Sequence, residues 1–183
     1  EIKLLELGLP PQENDGFIGG NLDPKEASLI LIPVPWEATV SFGEGTSKAP
    51  DNIRLASHQL DVENYHYVKP YKAGISMLEV DKHILKLSNK TRKKALKVID
   101  ALEDGKTNQK ALDFVNEASA TLNTSVYEKA MEQINKGKFV GVVGGDHSSP
   151  LGLIKALNDT QIESFGILHV DAHHDLREAY EGF

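Results

Sequence analysis

The chain has 183 residues, 40% of them hydrophobic, which is enough for one compact domain with a real core and too short for two large ones. Its 20 Lys and Arg stand against 27 Asp and Glu, a net charge of −7, and that balance excludes a general nucleic-acid or anionic-membrane surface, since both need a basic footprint. With no cysteine, disulfides and thiolate metal sites are excluded, and any metal must take nitrogen and oxygen ligands.

The chain opens on "EIKLLELGLPPQENDG", which lacks the basic start and apolar block of a signal peptide. No apolar run approaches the ~20 residues that span a bilayer, so the protein is expected to be soluble and cytoplasmic. Residues 10–24 are rich in Pro, Gly, Asn and Asp and predict an irregular leading segment. "SLILIPVPW" (28–36) predicts a buried strand, followed by a Gly, Ser and Thr loop over 37–52. Pro50 predicts the opening of a short helix, 50–58, because its missing N–H costs nothing at the first helical position.

"KAGISMLEV" (72–80) predicts a second strand. The middle is helical. Ala95, Val98, Ile99 and Leu102 recur at helix spacing, with Gly105 ending that helix. Leu112, Val115, Ala118 and Leu122 predict another. A capping-box pattern, Ser125 to Glu128, predicts the start of a third, with Gly137 after it. "KFVGVVGG" (138–145) is strand-like and leads through a loop to a helix with Ser149 as N-cap and Pro150 at its first position. "SFGILHV" (164–170) predicts a further strand. Strand, loop, helix, strand is the grammar of a parallel α/β sheet. The 81–137 stretch is long for one crossover and is taken as a helical insertion on the same domain.

Two polar clusters follow strand ends, where sites form in open α/β sheets. In "GGDHSSP" (144–150) two glycines allow a sharp turn, and His147 falls between strand and helix. Taken alone it could equally be a tight turn in which Asp146 and Ser149 satisfy backbone groups. In "DAHHD" (171–175) the alternation of an extended backbone brings Asp171, His173 and Asp175 to one side, with Ala172 and His174 opposite. Two carboxylates and an imidazole at one point repel or desolvate badly without a cation, so a metal is expected. "LEVDKH" (78–83) alternates Glu79, Asp81 and His83 in the same way, but nothing else pairs with it and it is read as a solvated strand end. Carboxylate and imidazole together favour Mn, Fe, Ni or Zn over Ca.

"GGDHS" followed by "DAHHD" resembles the ureohydrolase superfamily of arginases, agmatinases and formimidoylglutamases, and "PWEATVSFGEGTSKAPDNIR" (35–54) is similar to that family's N-terminal loop. The resemblance implies a three-layer α/β fold of the arginase type with a parallel sheet, here incomplete, and a two-manganese (Mn2+) centre, with Ni, Fe or Zn as other candidates. It implies a metal-bridging hydroxide that attacks a guanidinium or formimino carbon. By position, His147 and Asp175 would bind one manganese, His173 the other, and Asp171 would bridge them, while His174 falls at a variable position.

"DLREAYEG" (175–182) resembles agmatinase-like members more than arginases. The expected activity is therefore hydrolysis of agmatine to putrescine and urea, with arginase or formimidoylglutamase chemistry, or a non-catalytic metal-binding role, as alternatives. The expected partners are a small cationic guanidino substrate and further copies of the chain, as trimer or hexamer, with neither nucleic acid nor membrane. The family pattern also carries an Asp-x-Asp element, which these residues lack. The chain is accordingly expected to be the N-terminal part of a single ureohydrolase domain, inactive by itself.

Overall fold

The computed structural model describes residues 6–40, 43–63, 65–160, 164–176 and 181–183. Three parallel strands, β1 (Leu29–Val34), β2 (Ile75–Met77) and β3 (Phe139–Gly144), form one sheet in the order β2-β1-β3. Four helices accompany it: α1 (Ala49–Ala56), α2 (Lys82–Glu103), α3 (Gln109–Ile134) and α4 (Leu151–Asp159). This is an α/β arrangement with a parallel sheet, a partial form of the expected fold.

The central strand β1 is a continuous apolar run, as a strand in the middle of a parallel sheet requires. Pro33 is tolerated there because β2 pairs only with Leu29, Ile30 and Leu31, so Pro33 lies past its end with β3 alone as neighbour. Ile32, Val34, Trp36 and Ala38 alternate onto one face and form the core with Ile84 of α2, Ala118, Leu122, Val126 and Ala130 of α3, and Ala156 of α4. Burying each of the large aliphatic members contributes roughly 1.5–3 kcal/mol over leaving it exposed. Gly152 lets α4 cross α3 closely: a Cβ there would sit 2.6 Å from the Asn123 carbonyl oxygen.

Several local expectations give way to tertiary context. The expected strand 72–80 shortens to Ile75–Met77, because Pro70–Ala73 forms a 3-10 turn and Gly74 takes a φ of 77°, which breaks the extended backbone. The expected helix start at Ser125 does not occur. Ala111, Val115, Ala118, Leu122, Val126 and Ala130 make one uninterrupted buried stripe through that position, and a capping box needs a break to cap. Residues 81–137, expected as an insertion, connect β2 to β3 and supply much of the core. Helix α4 begins at Leu151 with Pro150 at the N-cap, while Ser149 is buried with its hydroxyl unpartnered.

The run 164–170 is not a strand. Among the described residues it finds no hydrogen-bonding neighbour in the sheet, and its apolar side chains lie in solvent, Leu168 being 91% exposed. Gly105, at a φ of 69°, follows the end of α2 as its spacing predicted.

The "LEVDKH" segment has a structural use. Asp81 caps α2, accepting from the amides of His83 (2.9 Å) and Ile84 (3.2 Å), and also from Lys129 Nζ at 2.6 Å. Burial works against its ionisation, but the Lys129 bond and charge and the two amides outweigh it and hold the carboxyl below its ordinary value. Asp81→Ala is expected to cost about 1–2 kcal/mol, read from the denaturant midpoint. Since the folded pKa is depressed, this contribution is complete above the ordinary carboxylate value and fades as the pH falls through the folded value. The difference between wild type and Asp81→Ala should therefore shrink on acidification; a difference that grows instead would contradict the assignment.

Candidate metal centre

The strands end level with one another, Val34 opposite Gly144. Beyond them the chain makes the turn carrying His147. Gly145 donates to the Val34 carbonyl at 3.2 Å and Asp146 donates to that of Trp36 at 2.9 Å, so the turn is laced to the end of β1. Both glycines are required by close approach. A Cβ on Gly144 would lie 2.6 Å from Ser149 Oγ, and one on Gly145 would lie 2.0 Å from the Trp36 carbonyl oxygen. The Asp146 carboxylate accepts from the Ser148 amide and hydroxyl and from Thr39, as a turn residue would, and takes no part in the cluster.

His147 stands between two carboxylates. Its Nδ1 is 2.7 Å from Asp175 Oδ2 and its Nε2 is 3.3 Å from Asp171 Oδ2. A second imidazole joins them: His169 Nε2 is 3.8 Å from each of those two oxygens. The four residues offer one donor atom apiece, all within 4.8 Å of one another, at the exposed end of the sheet. His173 lies to the side, its Nδ1 3.4 Å from Asp171 Oδ1, outside that group of four. His174 is exposed and outside it too.

The reason for this arrangement is backbone geometry. The chain bends at Ala172 and His173, where the His173 amide turns back to Asp171 Oδ1, and Asp175 adopts a φ of 50°, in the left-handed region, so strict alternation is lost between Asp171 and Asp175. Sequence reasoning passed over His169 because it sits inside an apolar run. Its signal was nevertheless present: it occupies the same parity as Asp171, two residues earlier.

Electrostatics favour a cation at this point. The His173 amide donates to Asp171 Oδ1 at 2.7 Å and holds that carboxyl below its ordinary value; desolvation opposes it, and His147, His169 and His173 act in the same direction as the amide. Two imidazoles and two carboxylates without thiolates form a borderline-to-hard donor set that suits Mn, Fe, Ni or Zn. Two donors bonded to one ion at about 2.1 Å can be at most about 4.2 Å apart. The four donors lie within 4.8 Å of one another, so the widest allowed pair exceeds that limit by about 0.6 Å and pairs not opposite each other would close further. With a contraction of that order the donor set fits a divalent metal.

Residues 37–48 border the turn. The Glu37 carboxylate accepts from the amides of Gly45 (2.6 Å) and Ser47 (3.1 Å). Burial raises its pKa, but the Ser47 and Gly45 amides outweigh that and hold it low, aided by the Ser47 hydroxyl and the Arg92 charge. Arg92 donates to the Val40 carbonyl at 2.8 Å. Ser41 and Phe42 of this loop, and Arg177 to Tyr180 of the segment resembling an agmatinase substrate loop, lie outside the described residues. Among the described residues no helix is long and apolar enough to cross a membrane.

The sequence model of the arginase family matches residues 27–183. The chain is 25% identical over 159 residues to N(1)-aminopropylagmatine ureohydrolase of Synechocystis sp., covering 86% of this chain and 43% of that protein. It is 26% identical over 160 residues to a Thermus thermophilus protein of the same name, covering 86% and 43%. To the agmatinase of Bacillus subtilis it is 28% identical over 167 residues, covering 91% and 47%. The chain thus spans less than half the length of these curated relatives. No solved structure matches it.

Proposed function

The chain belongs to the arginase family, and from that premise we propose that the intact protein is a manganese-dependent hydrolase of a guanidino compound of the agmatine type. The observation that carries the reading is the convergence of His147, Asp171 and Asp175 beyond the end of β3. In this reading His147, Asp171, His173 and Asp175 hold the metal, with His169 as an additional donor beside the two carboxylates. When bound, divalent metal supplies the Lewis acidity that yields a nucleophile from water near neutral pH. The residues themselves aim the Asp171 and Asp175 carboxylates at one point, and the His173 amide holds the Asp171 carboxyl below its ordinary value, which supports giving Asp171 the shared place in this reading.

The choice of substrate is supported by the relatives' names, which are those of enzymes for agmatine and for its aminopropyl derivative. Both molecules carry a guanidinium without an α-carboxylate, so the site needs no reader for that group. The test is release of urea by the intact protein with Mn2+ from agmatine, N(1)-aminopropylagmatine and arginine, with formamide measured from formimidoylglutamate in parallel. Urea from the two agmatine-type compounds at rates well above arginine is expected. Faster arginine or formimidoylglutamate hydrolysis would reassign the substrate, and no product from any of them would overturn the reading.

A further inference from the structure

We propose that Asp146 and Thr39 are positioning residues of the metal centre, through which residues 37–40, held on α2, fix the place of His147. The inference rests on the site being a metal centre, as proposed above.

His147 is exposed, and among the described residues its ring nitrogens pair with the Asp171 and Asp175 carboxylates, so its place is set largely by the backbone that carries it. That backbone is held on one side by Asp146. Its amide donates to the Trp36 carbonyl at 2.9 Å and its carbonyl accepts from the Ser149 amide at 3.1 Å. Its carboxylate divides its two oxygens between two segments. Oδ1 accepts from the Ser148 amide at 3.1 Å and from the Ser148 hydroxyl. Oδ2 accepts from the amide and the hydroxyl of Thr39, each at 3.4 Å.

The Thr39 side of this clamp is stiff. Glu37 gathers the amides of Gly45 and Ser47, its own amide donates to Ser88 Oγ at 3.0 Å, and Ser88 is fully buried in α2. Arg92, also on α2, donates to the Val40 carbonyl and lies 3.7 Å from Glu44. Contacts therefore run from α2 through Glu37, Val40 and Thr39 to Asp146 and the neighbouring metal-facing imidazole. The two Thr39 bonds are long, so each is weak by itself. Their effect is directional: they fix the turn that carries His147, and groups that orient a ligand tune metal affinity.

The test uses the intact protein with Thr39→Val, Thr39→Ser and Asp146→Asn. Mn2+ affinity is measured by chelator competition, the visible absorption of the Co2+ form reports ligand geometry, and melting in chelator reports the metal-free fold. Thr39→Val should weaken Mn2+ binding several-fold and shift the Co2+ bands, with the metal-free melting temperature within about 2 °C of wild type. Thr39→Ser, which restores the hydroxyl, should recover both. Asp146→Asn should lower affinity further, about 10- to 100-fold; if that variant does not fold, the Thr39 pair decides. Unchanged affinity and Co2+ spectrum in Thr39→Val, or a Thr39→Ser that behaves like Thr39→Val, would overturn the inference while leaving the metal centre standing. A wild-type protein that takes up neither ion would instead sink the metal centre, and this inference with it.

Discussion

Asp171→Asn in the intact protein is expected to lower turnover on the order of a thousandfold, comparable to removing a dominant electrostatic group from a reaction site. Both Asp171 oxygens are engaged. Oδ2 is 3.3 Å from His147 and 3.8 Å from His169, and Oδ1 receives the His173 amide at 2.7 Å and faces the His173 ring at 3.4 Å. No other carboxylate among the described residues touches all three imidazoles. Asparagine keeps the shape but removes the charge, and turns an N–H toward nitrogens or a cation that need an acceptor. The His173 amide depresses the Asp171 pKa, so the carboxylate is ionised above its ordinary value of 3.8 and stays so until the pH falls through the lower folded value. Loss of activity on mild acidification therefore has another origin than protonation of Asp171. Urea release and bound manganese, measured together in wild type and variant, check the prediction; near-normal turnover would remove Asp171 from the bridging role.

The parts of this molecule legible in its sequence are those whose signal is carried by neighbours in the chain. β1 and β3 are apolar runs closed by Pro or Gly, and both form strands. Gly105 is a helix stop and lies just past α2. The parts that were not legible depend on partners far away. Residues 164–170 have a strand's composition, but a strand exists through its ladder and this one has none among the described residues. Ser125 has a cap's sequence, but the buried stripe from Ala111 to Ala130 prolongs the helix through it. At the site, parity along "DAHHD" assumed an extended chain to its end. The bend at Ala172 and His173 and the positive φ at Asp175 break that assumption, and the second imidazole beside both carboxylates is His169, with His173 to the side.

The two glycines before Asp146 tie fold and site together, and Gly145→Ala is expected to be strongly damaging. A Cβ at Gly145 would lie 2.0 Å from the Trp36 carbonyl oxygen and 2.9 Å from its carbonyl carbon and amide nitrogen. All three are backbone atoms of a residue that is fully buried, so no side chain can swing aside to make room. Relief requires parting the end of β1 from the turn, which breaks the bond from the Asp146 amide to the Trp36 carbonyl and carries His147 away from Asp171 and Asp175. Overpacking of this kind costs about 3 kcal/mol or more, and metal affinity should fall with it. Gly166→Ala is the control, with nothing within 4 Å of its added methyl and no left-handed φ. Its denaturant midpoint should stay within about 0.5 kcal/mol of wild type. A Gly145→Ala protein as stable as Gly166→Ala would mean that the turn does not press on Trp36. The "GG" of "GGDHS" would then owe its place to the flexibility of the turn and not to the closeness of two backbones.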